Sequence, residues 1–168
     1  MKISNTFSNI IATSYIDLND ELYDRIMEVK NNTPFWDDKT EKFAGTGGSI
    51  NWSILENEKL SDLKSKVLNE FYIFKNEHMS YMHNDFRLTT SWFTSIAPND
   101  KCDFHNHCHC MYSGVLYIKA AKNSGNIVFD PHENYRFDLK VKDFNINNSH
   151  SWWISPEKGK IIFFDSSL

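Results

Sequence analysis

The alternation of apolar and polar positions divides this chain into a helical first half and a strand-rich second half. Asn19, a residue suited to capping a helix, precedes Asp20 and Glu21, and Leu22, Ile26 and Val29 then recur at helical spacing. The pattern predicts a helix over 20–31. From residue 57 to 77 the positions Leu60, Leu63, Val67, Phe71 and Phe74 return every three or four residues, which predicts a second amphipathic helix with its apolar stripe on a sheet. Between them, Pro34, Gly45, Gly47 and Gly48 mark a long loop, either a lid or a surface excursion. After residue 85 the period changes to two. Phe86, Leu88, Thr90, Trp92, Thr94 and Ile96 share one face of a predicted strand, and Ala97–Asp100 supplies a turn. Further strands are predicted at 114–120, 126–130, 135–141, 151–154 and 160–164, separated by turns at 122–125 and 156–159 and by a loop opening at Pro131.

Six or seven short strands behind two helices point to a mainly β fold with N-terminal helices (α+β), a double-stranded β-helix or jelly roll of the cupin-like barrel kind. At 168 residues one domain is expected, with 1–85 as a helical support region and 86–168 as the jelly-roll core. The run Ile161-Ile162-Phe163-Phe164 is apolar without alternation, so it reads as buried on both faces. A buried strand at a chain end would want a neighbour on each side. The expectation is therefore that the last strand or strands of the barrel are missing.

Charge narrows the partners. Acidic residues outnumber basic ones 22 to 18, giving a net charge of -4, and no basic stripe occurs, which argues against nucleic acid as an electrostatic partner. The first twenty residues hold no sustained apolar segment and nothing approaches a membrane span, so a cytoplasmic protein without membrane attachment is expected. The three cysteines, Cys102, Cys108 and Cys110, are odd in number and crowd into nine residues, so a disulfide framework is not expected.

The candidate chemistry lies in Asp103–Ile118, DFHNHCHCMYSGVLYI. Read as an extended strand, it puts His105 and His107 on one face, two residues and about 7 Å apart along the strand, where two neutral imidazoles can converge on one Zn, Fe, Cu or Ni ion. Three readings stay open: a metal pair that needs at least one further ligand, a mixed Cys/His site drawing on Cys102, Cys108, His109 and Cys110, or packing histidines with no metal. His78, His83, His132 and His150 read as exposed.

Trp92, the segment HNHCHCMYSGVLYI, the FDP at 129–131 and the closing WWISPEKGKIIFFDSSL resemble the small 2-oxoglutarate- and Fe(II)-dependent oxygenases found in phages and marine bacteria. The resemblance covers 90–168 and implies an oxidoreductase of the dioxygenase (hydroxylase) type with Fe(II) as metal and 2-oxoglutarate as cosubstrate. It makes His105 and His107 the paired metal ligands, puts Cys108 where the family usually has Pro, matches Ser113-Gly114 to the family's Ser-Gly, and sets Tyr117 beside the cosubstrate pocket. His107 occupies the position of the usual facial-triad carboxylate, and the chain ends about two residues before the family's distal histidine, ahead of its 2-oxoglutarate-binding arginine. The expectation is an incomplete or impaired enzyme: a fragment, a degenerate copy, or a chain completed by another in a homo-oligomer. The substrate, small molecule or protein, is not indicated. The alternatives are a non-catalytic cupin-like or Cys/His metal-binding module, and a metal-free jelly roll using Trp152, Trp153 and Phe163 for packing or contact.

Overall fold

The computed structural model describes residues 9–36, 46–130, 140–149 and 151–168. Within them the elements run β1 (Ile11–Tyr15), α1 (Asp20–Asn31), β2 (Phe35–Trp36), β3 (Thr46–Ser49), α2 (Ser61–Ile73), β4 (Thr94–Ile96), β5 (Tyr112–Leu116), β6 (Ile127–Phe129), β7 (Trp152–Ile154) and β8 (Lys160–Asp165). Two short 3-10 turns, Ile54–Glu56 and Glu58–Leu60, lead into α2, and a π-helical turn, Phe74–His78, ends it. The fold is mainly β with two α-helices and several antiparallel sheets, and among the described residues the sheets do not close into a barrel.

The central sheet has the order β1-β8-β5, all antiparallel. Its middle strand is the apolar run of the chain end, and Lys160 to Phe164 are all buried. Alternation sends Ile161 and Phe163 to one face, where they join Leu22, Ile26 and Val29 of α1 and Leu63 of α2. The ring of Phe74 stacks on Phe163 at 6.1 Å and that of Phe71 meets it edge-on at 5.7 Å. Each such aromatic side chain contributes roughly 1.5–3 kcal/mol by leaving water. Ile162 and Phe164 go to the opposite face, where Phe129 of β6 and the partly buried Ile11, Val115, Tyr117, Ile127 and Ile154 cover them. The result is helices, a three-stranded sheet, then the two-stranded β6-β7 sheet. A separate sheet has the order β2-β3-β4.

Two glycines are required by geometry. At Gly114 a Cβ would stand 3.1 Å from the Phe163 ring, so the bare backbone lets that ring lie across β5. Gly159 has a φ of +82 and a Cβ there would come within 2.5 Å of the Ile16 carbonyl oxygen. The same residue accepts a hydrogen bond from Ile16 N–H and donates one to the Tyr117 carbonyl, both at 2.8 Å, which joins β1, β8 and β5 at one end.

Several expectations need correction. The neighbour that the terminal strand was expected to lack is β1, an N-terminal strand that the sequence pattern did not predict, so β8 is flanked on both sides. The predicted strand over 86–96 is regular only at Thr94–Ile96, and the predicted helix over 57–77 is α-helical only over Ser61–Ile73. The predicted strand at 135–141 lies almost wholly outside the described residues, as do His132 and His150. Helix α1 follows its prediction, with Asn19 Oδ1 accepting from Leu22 N–H at 2.9 Å.

Candidate metal centre

The histidine segment is not a strand. Residues 101–107 run without ladder partners, Cys108 and His109 form a turn, and the positive φ of His109, 65, reverses the chain into β5. What holds the segment is the stretch following β8: His107 N–H donates to the Ser166 carbonyl at 2.9 Å, and Ser166 N–H donates to the Met111 carbonyl at 3.2 Å. His109, past the reversal, is exposed and leaves the alternation of its neighbours.

His105 and His107 nevertheless converge. Their rings stack with centroids 5.1 Å apart and their Nε2 atoms stand 3.1 Å from each other. His105 is exposed, whereas His107 is half-buried between the rings of Trp92 at 5.5 Å and Phe164 at 6.3 Å. Burial, and then the neighbouring His105, push the His107 imidazole below its ordinary pKa and favour its neutral form. Each Nδ1 has its own partner: His105 Nδ1 lies 2.8 Å from the Asp103 carbonyl oxygen, and His107 Nδ1 lies 2.8 Å from Ser113 Oγ. A carbonyl only accepts, so His105 carries its proton on Nδ1 in the neutral form and presents an unprotonated Nε2 to His107.

This donor set fits two positions of a metal site. At a metal–nitrogen distance of about 2.1 Å, two imidazole nitrogens would be about 3.0 Å apart at a right angle and about 3.4 Å apart at the tetrahedral angle. The 3.1 Å separation falls between these. Nδ1 atoms committed to backbone or hydroxyl oxygen are the usual outer support of imidazole ligands. Among the described residues no group of three or more His, Cys, Asp or Glu side chains converges.

The thiols do not join the Nε2 pair. Cys102 Sγ is 3.8 Å from His105 Nδ1, on the far side of that ring, and Cys108 Sγ turns to Asn106 Oδ1 at 3.9 Å. Cys110 Sγ points inward, 3.2 Å from Ser166 Oγ. All three are free. Ser113 and Ser166 are buried and their hydroxyls are 2.8 Å apart. Ser166 received no role from the sequence, although the signal was present: Lys160, Ile162, Phe164 and Ser166 follow at intervals of two on the face of β8 that meets Ser113.

Tyr117 extends the same face of β5 as Ser113 and Val115, about 13 Å along the strand from Ser113 by strand rise. Its phenol is half-buried, and burial raises its pKa while nearby Lys160 opposes that rise. Lys160 itself is buried, with Nζ donating to the Ser155 carbonyl at 2.8 Å and paired with Glu157. Outside the histidine pair, Trp52 and Trp92 stand with ring centroids 5.4 Å apart, and Trp52 is open to solvent. Trp152 and Trp153, expected as packing or contact residues, are both exposed and stacked on each other at 5.8 Å, whereas Phe163 is core.

Residues 90–168 match the family model described as "Putative 2OG-Fe(II) oxygenase". The matched span holds the histidine pair, Ser113, Tyr117 and strands β4 to β8. No curated protein matches the chain, and no solved structure does. No helix among the described residues is long and apolar enough to cross a membrane.

Proposed function

We propose that this chain is an Fe(II)- and 2-oxoglutarate-dependent oxygenase in which His105 and His107 hold the metal through Nε2. The observation that carries the reading is the 3.1 Å approach of the two Nε2 atoms inside the segment that matches the oxygenase family. Bound there, iron with O2 and 2-oxoglutarate supplies the oxidising chemistry, in which the cosubstrate loses CO2 to give succinate and one oxygen atom enters a substrate C–H bond.

The chain's own residues do the rest. The Asp103 carbonyl fixes the His105 ring by accepting its Nδ1–H. Ser113 does the same for His107, and Trp92 and Phe164 wall that ring from water on two sides. Tyr117 flanks the cosubstrate on the inner face of β5. Two protein imidazoles without a third ligand hold a divalent ion loosely, so the expected chain is a weak binder and an impaired catalyst on its own.

Anaerobic Fe(II) titration with and without 2-oxoglutarate, alongside His105→Ala and His107→Ala, tests the reading. The visible charge-transfer band of the chelate is expected in the parent chain and in neither variant. A band that survives both substitutions would place the metal elsewhere. Metal uptake with no response to 2-oxoglutarate would instead favour a binding module without catalysis.

A further inference from the structure

We propose that Ser113, Ser166 and Cys110 are positioning residues for His107, forming a buried relay whose hydrogen bonds can run in either direction and so let the imidazole pair change from mutual bonding to metal binding. The inference rests on the metal-ligand reading of His105 and His107. It starts from a chain of close contacts: Cys110 Sγ to Ser166 Oγ at 3.2 Å, Ser166 Oγ to Ser113 Oγ at 2.8 Å, Ser113 Oγ to His107 Nδ1 at 2.8 Å, His107 Nε2 to His105 Nε2 at 3.1 Å, and His105 Nδ1 to the Asp103 carbonyl at 2.8 Å. Two of its members, Ser113 and Ser166, are 7% and 2% exposed, so water does not readily replace a missing partner.

The Asp103 carbonyl sets the direction at one end, because it can only accept. Without metal, His105 therefore donates through Nδ1 and accepts at Nε2. The 3.1 Å contact then requires His107 to carry its proton on Nε2, which leaves its Nδ1 as an acceptor. Ser113 donates to that Nδ1, Ser166 donates to Ser113, and Cys110 donates to Ser166. Every proton in the chain has an acceptor.

Metal binding needs the Nε2 lone pair of both rings. The proton leaves His107 Nε2 for solvent and one from solvent is taken up at Nδ1, so the count is unchanged. His107 Nδ1–H now donates to Ser113, Ser113 to Ser166, and Ser166 to Cys110 Sγ. The Cys110 thiol turns to the His107 carbonyl, which lies 3.6 Å from its sulfur. Again no donor is stranded. The heavy atoms need not move, and the change is one tautomer and three rotors.

The test uses the full chain labelled with 15N in its histidines, with Zn(II) and Co(II) as probes. Long-range 1H–15N spectra of the metal-free chain are expected to show His105 as the Nδ1–H tautomer and His107 as the Nε2–H tautomer. Zn(II) is expected to convert His107 to Nδ1–H. Ser113→Ala should lose the single His107 tautomer and weaken Co(II) binding by about tenfold or more, the usual scale for outer-shell partners. Ser113→Thr, which keeps the hydroxyl, should restore both readings, and Ser166→Ala should weaken binding less than Ser113→Ala. A metal-free His107 in the Nδ1–H form would overturn the relay, as would wild-type Co(II) affinity in a Ser113→Ala chain of unchanged circular dichroism. Failure of the parent chain to take up any Co(II) would overturn the oxygenase reading instead. The metal-free spectrum tells the two failures apart, since it needs no metal.

Discussion

The two faces of the β1-β8-β5 sheet make different use of the same strand. On the helix side, Ile161 and Phe163 belong to the main apolar cluster, the rings of Phe71 and Phe74 pack on Phe163, and Tyr112 packs in turn on Phe74. On the other side, Ile162 and Phe164 begin an apolar layer that ends at Ser113, Ser166 and His107, where hydroxyls and an imidazole replace hydrocarbon. One face is built to hold the fold. The other gives up part of its apolar contact so that polar groups can be held in fixed orientation beside it.

The largest effect that would break this comparison is on the helix side. Phe163→Ala is expected to cost about 3–5 kcal/mol and to lower the urea midpoint sharply, because Phe71 of α2 and Phe74 of the turn after it both lose their ring contact with β8. A loss no larger than that of an exposed-residue substitution would mean that the helices are not anchored there. Next comes Lys75, fully buried and without a carboxylate partner among the described residues, its Nζ donating to the His83 carbonyl and to Asn84 Oδ1 at 2.8 Å and standing 5.8 Å from the Tyr72 and Phe86 rings. Lys75→Met should destabilise by roughly 1–3 kcal/mol by stranding those acceptors, and chemical denaturation measures it. It should leave the chelate band unchanged, since the ammonium serves the segment after α2.

On the site side the order of effects inverts. His107→Gln should abolish the chelate band yet shift the denaturation midpoint only slightly. A large loss of stability would make His107 a packing residue first. The smallest effect is that of pH on the metal-free chain. The folded-state pKa of His107 lies below its ordinary 6.5, so the folded chain resists a proton that the unfolded chain accepts. Stability is fully present above about pH 6.5 and falls as pH drops through the lowered folded value. His107→Gln should flatten that part of the profile, and an unchanged slope would assign it to other groups.

The sequence carried the parts of the fold whose pattern is strong. Helix α1 announces itself through Asn19 and the spacing of Leu22, Ile26 and Val29, and the burial of β8 on both faces follows from four apolar residues in a row. β1 was not legible. In Ile11-Ala12-Thr13-Ser14-Tyr15 small and polar residues sit where a core strand would carry large apolar ones, and Ser14 reaches out to bond Glu70 at 2.6 Å. The strand exists because β8 supplies a ladder for it, which is a tertiary cause. The histidine pair was legible as a spacing, but not the backbone that brings it together. A period of two predicts a shared face in a strand, whereas here the convergence comes from an unpaired stretch tied to Ser166 and closed by the positive φ of His109.

Strand register at β8 has a chemical consequence. A slip of one residue would carry Ile161, Phe163 and Asp165 to the histidine side and Ile162, Phe164 and Ser166 to the helices. A carboxylate would then stand where Ser166 now meets Ser113, and a hydroxyl would be pressed into the helix core. Gly159 is the stop against that slip, because its left-handed turn and its bonds to Ile16 and Tyr117 fix where the strand begins. A substitution at this turn, seven residues from Ser166, would therefore reach the imidazole pair as a change in which side chain is presented to it.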